Sequence, residues 1–481
     1  MVRHESLFVN GTFIGGPCDS SVSKEVSHSP FDRRVVGTWA EADSNFVNSA
    51  LESAASAFAS FRHSDTSFRQ GLLVRTAEIL EEEADDLANL MALEIGKPMA
   101  MAREEIRRGG VTLRLSSALL DRPERKFDLS LDGRHNAYER WGAVQVPVGP
   151  VLCITPYNWP INLALHKIGP ALAAGCTVVV KGSSLSGLCN LALGRIFAAA
   201  GWPEGTVNFI QCAPGLAERA ALDSRIKKVS FTGSPAVGWM LKEKLWRKRV
   251  TLELGGNAYV IVEPDADLAA AAELIAKSAF GYAGQICISA QNCLIHESVR
   301  AEFEGHLLAA TQAIRSGNPL DDGVFNGPLI SSDAAKNAIA LVNNTSGTIK
   351  AGGELTGNVL SPTVITDPDP DSPEVQKEAF APILTLRSYT KLSEAINEVN
   401  RSKYAIHTSV FTSESDAQTR AFNDLETAGV VFNDAPTVRF DALPYGGIKE
   451  SGFGREGPEF AYDEFTEWKS YLHRNTSPPG A

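Results

Sequence analysis

Along residues 44–61 the apolar side chains Phe46, Val47, Ala50, Leu51, Ala54, Ala55, Phe58 and Phe61 recur every three or four positions, the period of one helix face. Residues 67–95 carry the same period through Leu72, Leu73, Ala77, Leu80, Leu87 and Leu90, and read as one helix closed by Gly96-Lys97-Pro98. A further helix is predicted over 99–120. It carries Arg103, Arg107 and Arg108, which a solvated, salt-paired face would explain. Two stretches read instead as hairpins: residues 6–17 about Asn10-Gly11, and the alternating residues 126–145 about Asp132-Gly133.

From Val144 the pattern changes. Val144–Thr155 reads as one buried strand, Pro160–Ala174 as a helix and Cys176–Lys181 as a strand. Ser186–Ala200 follows as a helix, Val207–Gln211 and Lys228–Phe231 as strands, Pro235–Leu245 as a helix and Val250–Leu254 as a strand. Strands alternating with helices of ten or so residues imply a parallel, doubly wound sheet, which binds dinucleotides at the carboxyl ends of its strands. A second alternation starts after Gly256, with strand 258–262, helix 267–281, strand 291–295 and helix 298–315, and continues to Val431-Phe432-Asn433. The expectation is an α/β chain of two lobes. Glu467–His473 alternates again and is expected to pair with the 126–145 hairpin as an added sheet.

Length and composition agree with this. At 481 residues the chain exceeds one ordinary domain. A hydrophobic content of 44% with 21% charged residues fits a globular enzyme. A net charge of −12 argues against nucleic-acid or anionic-membrane partners. No apolar run reaches the ~20 residues that span a bilayer, and the first residues lack a secretory core segment. The seven cysteines (18, 153, 176, 189, 212, 287 and 293) are odd in number and irregularly spaced. That fits neither a disulfide framework nor a metal site, and a reducing cytoplasm is expected. Five of them, all but 18 and 287, sit in apolar runs and read as buried hydrophobes.

Cys287 differs. It lies in Gly284-Gln285-Ile286-Cys287-Ile288-Ser289, a glycine-flanked turn with little bulk around it. Thirty-four positions upstream, Glu253 sits between Leu252 and Leu254 and before Gly255-Gly256-Asn257. A thiolate attacks carbonyl carbon, and a carboxylate with apolar neighbours has a raised pKa that suits a general base. The plain readings are a core cysteine and a capping carboxylate at a Gly-Gly turn.

Seven stretches in order carry a resemblance. They are Thr155-Pro156-Tyr157-Asn158-Trp159-Pro160, Lys181-Gly182-Ser183-Ser184, Phe231-Thr232-Gly233-Ser234, Leu252–Asn257, Gly284–Cys287, Lys377-Glu378-Ala379-Phe380-Ala381-Pro382 and Pro444-Tyr445-Gly446-Gly447-Ile448-Lys449-Glu450-Ser451-Gly452. Through them nearly the whole chain resembles the aldehyde dehydrogenase superfamily. The resemblance implies an aldehyde dehydrogenase-like α/β fold. Its expected parts are a cofactor-binding domain (1–125 and 146–255), a catalytic domain (256–455) and a β oligomerisation extension with a tail (126–145 and 456–481), in a homodimer or homotetramer.

It also implies roles. Cys287 is the expected nucleophile. The Asn158 side-chain amide and the Cys287 backbone N–H are the oxyanion donors; such a donor is worth roughly 3–4 kcal/mol of barrier. Glu253 activates the hydrolytic water, and its presence favours release of a free acid over acyl transfer to coenzyme A or phosphate. The expected cofactor is NAD or NADP, held in a cleft of Ile154, Thr155, Pro156, Tyr157, Lys181, Ser183, Ser184, Gly233, Ser234, Leu254, Glu378 and Phe380. Gly233 and Ser234 face the phosphates at a helix N-terminus, and Lys181 faces the adenosine ribose. Ser184 stands where NAD-preferring members often carry glutamate, so NADP is expected to be tolerated or preferred. Gly182 and Ala381 replace the usual proline and glycine.

For the substrate, Arg439 stands where members acting on lactaldehyde, semialdehydes, phosphonoacetaldehyde or sulfolactaldehyde tend to carry arginine, and Arg108 aligns with a second anion contact. A small polar or anionic aldehyde is therefore expected. A salt bridge from Arg439 to Asp441 or Asp434 is the alternative for that side chain. Trp159 and Tyr157 leave open an aromatic aldehyde, and a non-catalytic relative is the remaining reading.

Overall fold

The computed structural model describes residues 3–122, 127–128 and 137–474. Two large sheets organise it. The first runs, edge to edge, through Gly452–Phe453, Arg249–Glu253, Lys228–Thr232, Val151–Ile154, Val178–Lys181, Val207–Ile210, Leu7–Val9 and Thr12–Ile14. Its five central strands are parallel; the others are antiparallel edges, so the sheet is mixed and not purely parallel. The hairpin at Asn10-Gly11 is present, with φ of 52° and 76° at the two turn residues. Its place on the sheet depends on one long-range pair, Phe8 with Phe209, which no local pattern announces.

The second sheet runs through Thr348–Ala351, Thr363–Thr366, Ile383–Tyr389, Ala290–His296, Ala258–Val262, His407–Phe411 and Gly429–Phe432. All its pairs are parallel except the first. Its central strands are buried on both faces, as their unbroken apolar runs require. A third, three-stranded sheet (Arg3–Glu5, Val35–Glu41, Ser23–His28) and the helix Pro214–Leu222 have no counterpart in the pattern reading.

Two element boundaries are corrected. Residues 67–95 form two helices, Thr66–Glu82 and Ala84–Ile95, which part at Glu83. Five acidic residues crowd 81–86; like charges oppose one continuous helix, while Asp85 and Asp86 suit a new N-terminus. Val144–Thr155 is likewise two strands, Tyr138–Pro147 and Val151–Ile154. Pro147 and Pro150 lack N–H donors, and Gly149 turns the chain at φ 133°. As expected, the tail strand Thr466–Arg474 pairs antiparallel with Tyr138–Pro147, while the Asp132-Gly133 turn expected before it lies outside the described residues.

The helix Met99–Ala118 ties the lobes to the loop that follows Val151–Ile154. Its Glu105 is fully buried and ion-paired to the equally buried Lys97. The same carboxylate accepts from the backbone N–H groups of Ile161 and Asn162 at 2.8 and 3.0 Å, at the N-terminus of helix Asn162–Ala174. Burial pulls the Lys97 ammonium down to about 8, against the pull of Glu105. Removing one partner strands a buried charge, a loss of about 3–5 kcal/mol. Glu105→Ala is expected to lose that much stability in urea unfolding, and a loss under about 1 kcal/mol would show that the pair does not hold the loop.

Candidate active site

The parallel part of the first sheet starts at Val151–Ile154, builds outward on one side and returns to build on the other from Lys228–Thr232. Between these two strands the winding reverses, and the crevice beyond their carboxyl ends is where such sheets bind ligands. A cavity of about 610 Å³ occupies that place. It is lined by all twelve residues expected to face a dinucleotide: Ile154, Thr155, Pro156, Tyr157, Lys181, Ser183, Ser184, Gly233, Ser234, Leu254, Glu378 and Phe380. Pro214, Gly215 and Glu218 also line it, from the helix that the pattern reading missed.

The donor set fits a dinucleotide. The Lys181 ammonium makes no hydrogen bond to the described residues, and burial lowers its pKa. The hydroxyls of Thr155 and Thr232 are buried without partners. Ser234 precedes helix Pro235–Lys244 without capping it by its side chain, which leaves that N-terminus open to an anion. A β-carbon on Gly233 would meet the Phe231 ring at 2.6 Å.

On the far side lies a second cavity, of about 740 Å³, lined among others by Arg107, Arg108, Trp159, Lys277, Arg439 and Asp441. Leu163 and Cys287 line both cavities, and only Cys287 is chemically reactive. The thiol therefore stands where the two spaces meet.

The parallel register explains why Cys287 and Glu253 share this place. Glu253 ends a strand of the first sheet, and five residues later Ala258 begins the second. Ala258 is paired with Ala290, three residues beyond Cys287. Gly256 is thereby drawn against the cysteine loop, and a β-carbon on it would overlap the Cys287 carbonyl. One on Gly255 would overlap the Glu378 carboxylate, which accepts from the Gly256 N–H at 3.0 Å.

The loop itself is not loosely surrounded. Tyr282, Ala283 and Gly284 are consecutively left-handed, with φ of 51°, 53° and 65°. For the two non-glycine residues this costs about 1–2 kcal/mol each. Tyr282 donates through N–H to the Phe325 carbonyl at 2.9 Å and through its hydroxyl to the Ile95 carbonyl at 3.2 Å. Gln285 is 1% exposed and acts as a bracket. Its amide NH₂ donates to the carbonyls of Tyr282 and Pro328, and its oxygen accepts from Ile330 N–H and the Tyr157 hydroxyl. Its backbone carbonyl accepts from Asn158 Nδ2 at 2.8 Å, which fixes that amide beside Cys287 and leaves its second hydrogen free.

The electrostatics divide two buried carboxylates. Both Glu253 oxygens lack partners. Burial raises its pKa well above the usual range, and the charge of Glu456 adds to this against Lys167, Arg439 and Arg455. Glu456 accepts from Lys167 Nζ at 2.8 Å and faces Arg439 Nη2 at 3.4 Å. Those cations overcome its burial and hold it low. Burial pushes the Cys287 thiol up to about 11, with the Tyr445 hydroxyl the strongest opposing influence. The sequence reading gave no role to Lys167, Glu456 or Tyr445. The first two signal nothing locally, since each is a single charge inside an otherwise unremarked segment.

The tentative substrate residues all line the second cavity. Arg108 is not solvated: it donates bidentately to Asp441 at 3.0 and 2.6 Å. Arg439 pairs with neither Asp441 nor Asp434. It lies over the Tyr445 ring at 3.7 Å, and its Nε has no partner. Trp159 carries the Lys97 ammonium 3.6 Å from its ring centroid.

Fold and site together define a two-cavity enzyme with a thiol at the junction. The aldehyde dehydrogenase family model matches residues 19–471, and the chain belongs to that family of oxidoreductases acting on aldehydes. A 3-sulfolactaldehyde dehydrogenase of Priestia aryabhattai is 32% identical over 95% of this chain and 96% of its own length. Aldehyde dehydrogenase 21 from Physcomitrella patens, solved with the reaction product succinate, superposes with a TM-score of 0.94 at 29% identity, covering 99% of each chain. The NADP-dependent glyceraldehyde-3-phosphate dehydrogenase of Bacillus halodurans, solved with NADP, gives 0.94 at 27% identity over 98% of this chain and 99% of its own. Among the described residues no helix is long and apolar enough to cross a membrane, and no cluster of side chains suits a metal ion.

The close approach at Gly256 yields a test. Its φ is not left-handed, so an added methyl fails for lack of space and not for backbone strain. Gly256→Ala is expected to lower kcat by about 100-fold and stability by about 1–3 kcal/mol. Unchanged turnover would show that the two loops need not touch.

Proposed function

We propose that the protein oxidises a small anionic aldehyde to the free acid with NAD or NADP, through a covalent intermediate on Cys287. The observation that carries this is the position of Cys287 as the reactive side chain common to both cavities. As thiolate, Cys287 Sγ adds to the aldehyde carbon from the second cavity. Asn158 and the Cys287 N–H receive the oxyanion. A bound nicotinamide supplies the two-electron acceptor, held by Lys181, Thr155, Ser183, Ser184, Gly233, Ser234 and Glu378. Glu253, once deprotonated, takes a proton from water, which then cleaves the thioester. Because burial raises its pKa, deacylation should accelerate with pH until that carboxyl is ionised.

The absence of an acidic side chain at Ser184 and the unpaired Lys181 support NADP beside NAD. Arg439 is the cation we assign to the substrate anion. Arg108 is already met by Asp441, and in this reading shapes the wall. With Lys97 on its ring, Trp159 offers an aromatic substrate less than the sequence suggests. The two sheets support a division near residue 255 into cofactor-binding and catalytic lobes. The ribbon of Tyr138–Pro147 and Thr466–Arg474, with Val144, Trp468 and Leu472 exposed, supports a homodimer or homotetramer. Seven unbridged cysteines support a cytoplasmic setting.

A Glu253→Gln variant given aldehyde and cofactor, without coenzyme A, is expected to accumulate an acyl adduct on the Cys287 peptide in mass spectrometry. No adduct, or turnover surviving in Cys287→Ala, would overturn the mechanism. Arg439→Ala is expected to lower kcat/KM for a carboxylated or sulfonated aldehyde by roughly 10- to 100-fold, with little effect on a neutral one of equal size. An equal loss on both would remove the anion assignment.

A further inference from the structure

Tyr445 is 4% exposed and belongs to the loop that closes the second cavity. Its hydroxyl has one hydrogen-bond partner among the described residues, Cys287 Sγ at 2.9 Å. A buried phenol is costly unless it is bonded, and a phenylalanine would fill the same space without that cost. The oxygen is therefore placed for the sulfur. The ring is fixed from two sides. The Arg439 guanidinium lies over it at 3.7 Å, and His407 meets it edge-on with centroids 5.5 Å apart. His407 is itself held through Nδ1 to the Pro436 carbonyl at 2.9 Å.

We infer that Tyr445 is a catalytic residue that donates a hydrogen bond to the Cys287 thiolate, holding the nucleophile charged and aimed into the second cavity. This rests on Cys287 being the nucleophile. Either atom can donate while the sulfur is protonated, but only the phenol can donate to a thiolate. The bond therefore strengthens on ionisation and favours the reactive form. Once the sulfur carries the acyl group it bears no charge and accepts weakly, so the phenol holds the enzyme before attack and releases it after. The charged groups that face the pair act in both directions. Arg439 favours the thiolate, while Glu378 from the cofactor side and Glu253 from the first sheet oppose it. Burial and the charge of Cys287 raise the phenol's pKa well above its ordinary value, against the Arg439 cation over the ring, so the hydroxyl keeps its proton and remains a donor. His407 is partly buried and desolvation lowers its pKa, so it adds no charge near neutrality.

The test is the pH dependence of Cys287 alkylation by iodoacetamide in the full-length protein without cofactor. Peptide mass spectrometry separates residue 287 from the exposed Cys18. Tyr445→Phe keeps the ring and its packing. It is expected to move the alkylation midpoint upward, so that labelling near neutral pH is roughly 10- to 100-fold slower. The acid limb of kcat/KM should move by the same amount. A role in packing alone would move neither, so profiles superimposable on wild type overturn the inference. Cys287→Ser, assayed alongside, separates the two claims. If it turns over as wild type does, the nucleophile assignment falls and this inference with it. If it is inactive while Tyr445→Phe keeps the wild-type profile, only the role of Tyr445 falls.

Discussion

The site depends on two backbones coming closer than any side chain would allow. Gly256 leaves the first sheet and enters the second with its α-carbon against the Cys287 carbonyl. The approach is dictated by the parallel pairing of Ala258 with Ala290, which leaves the two short segments before them side by side. A glycine there admits the contact, and a second at Gly255 admits the Glu378 carboxylate. The carboxylate end of one sheet and the thiol at the entry of the other thereby become a single place, although neither sheet contains both.

Within that place, similar groups are set apart by their surroundings. Glu253 and Glu456 are both buried, and differ in their partners. The first has none and is driven toward its neutral form, while the second holds Lys167 and Arg439 and stays ionised. Pushing neighbouring titratable groups in opposite directions is how one fold provides an acid and a base near neutral pH. Arg439 serves several neighbours at once: it pairs with Glu456, covers Tyr445 and borders the second cavity. Its charge therefore reaches the sulfur through the phenol as well as through space.

Rigidity supplies what electrostatics alone cannot. The left-handed turn at Tyr282–Gly284 is strained, yet Phe325, Ile95, Pro328 and Ile330 hold it through Tyr282 and Gln285. Strain that is over-determined by its neighbours is a common price of a pre-positioned nucleophile. Glu105 performs a similar service for Asn158 by anchoring the next helix through Ile161 and Asn162.

Local order of the chain settles much of this protein. Periodicity marks most helices and strands, because one-sided burial leaves a repeat of 3.6 or 2 in the residues themselves. Glycine-flanked Cys287, isolated Glu253 and the Thr155–Pro160 stretch are visible because their chemistry requires particular residue types in short runs. Where charge or proline interrupts an apolar run, as at Glu83 and Pro147, periodicity alone overextends the element. What remained for the tertiary structure were contacts between distant segments: Phe8 on Phe209, Arg108 on Asp441, Lys167 on Glu456 and Tyr445 on Cys287. Partners separated by a hundred residues or more leave no local period, and only the packing of the whole chain decides which charge meets which.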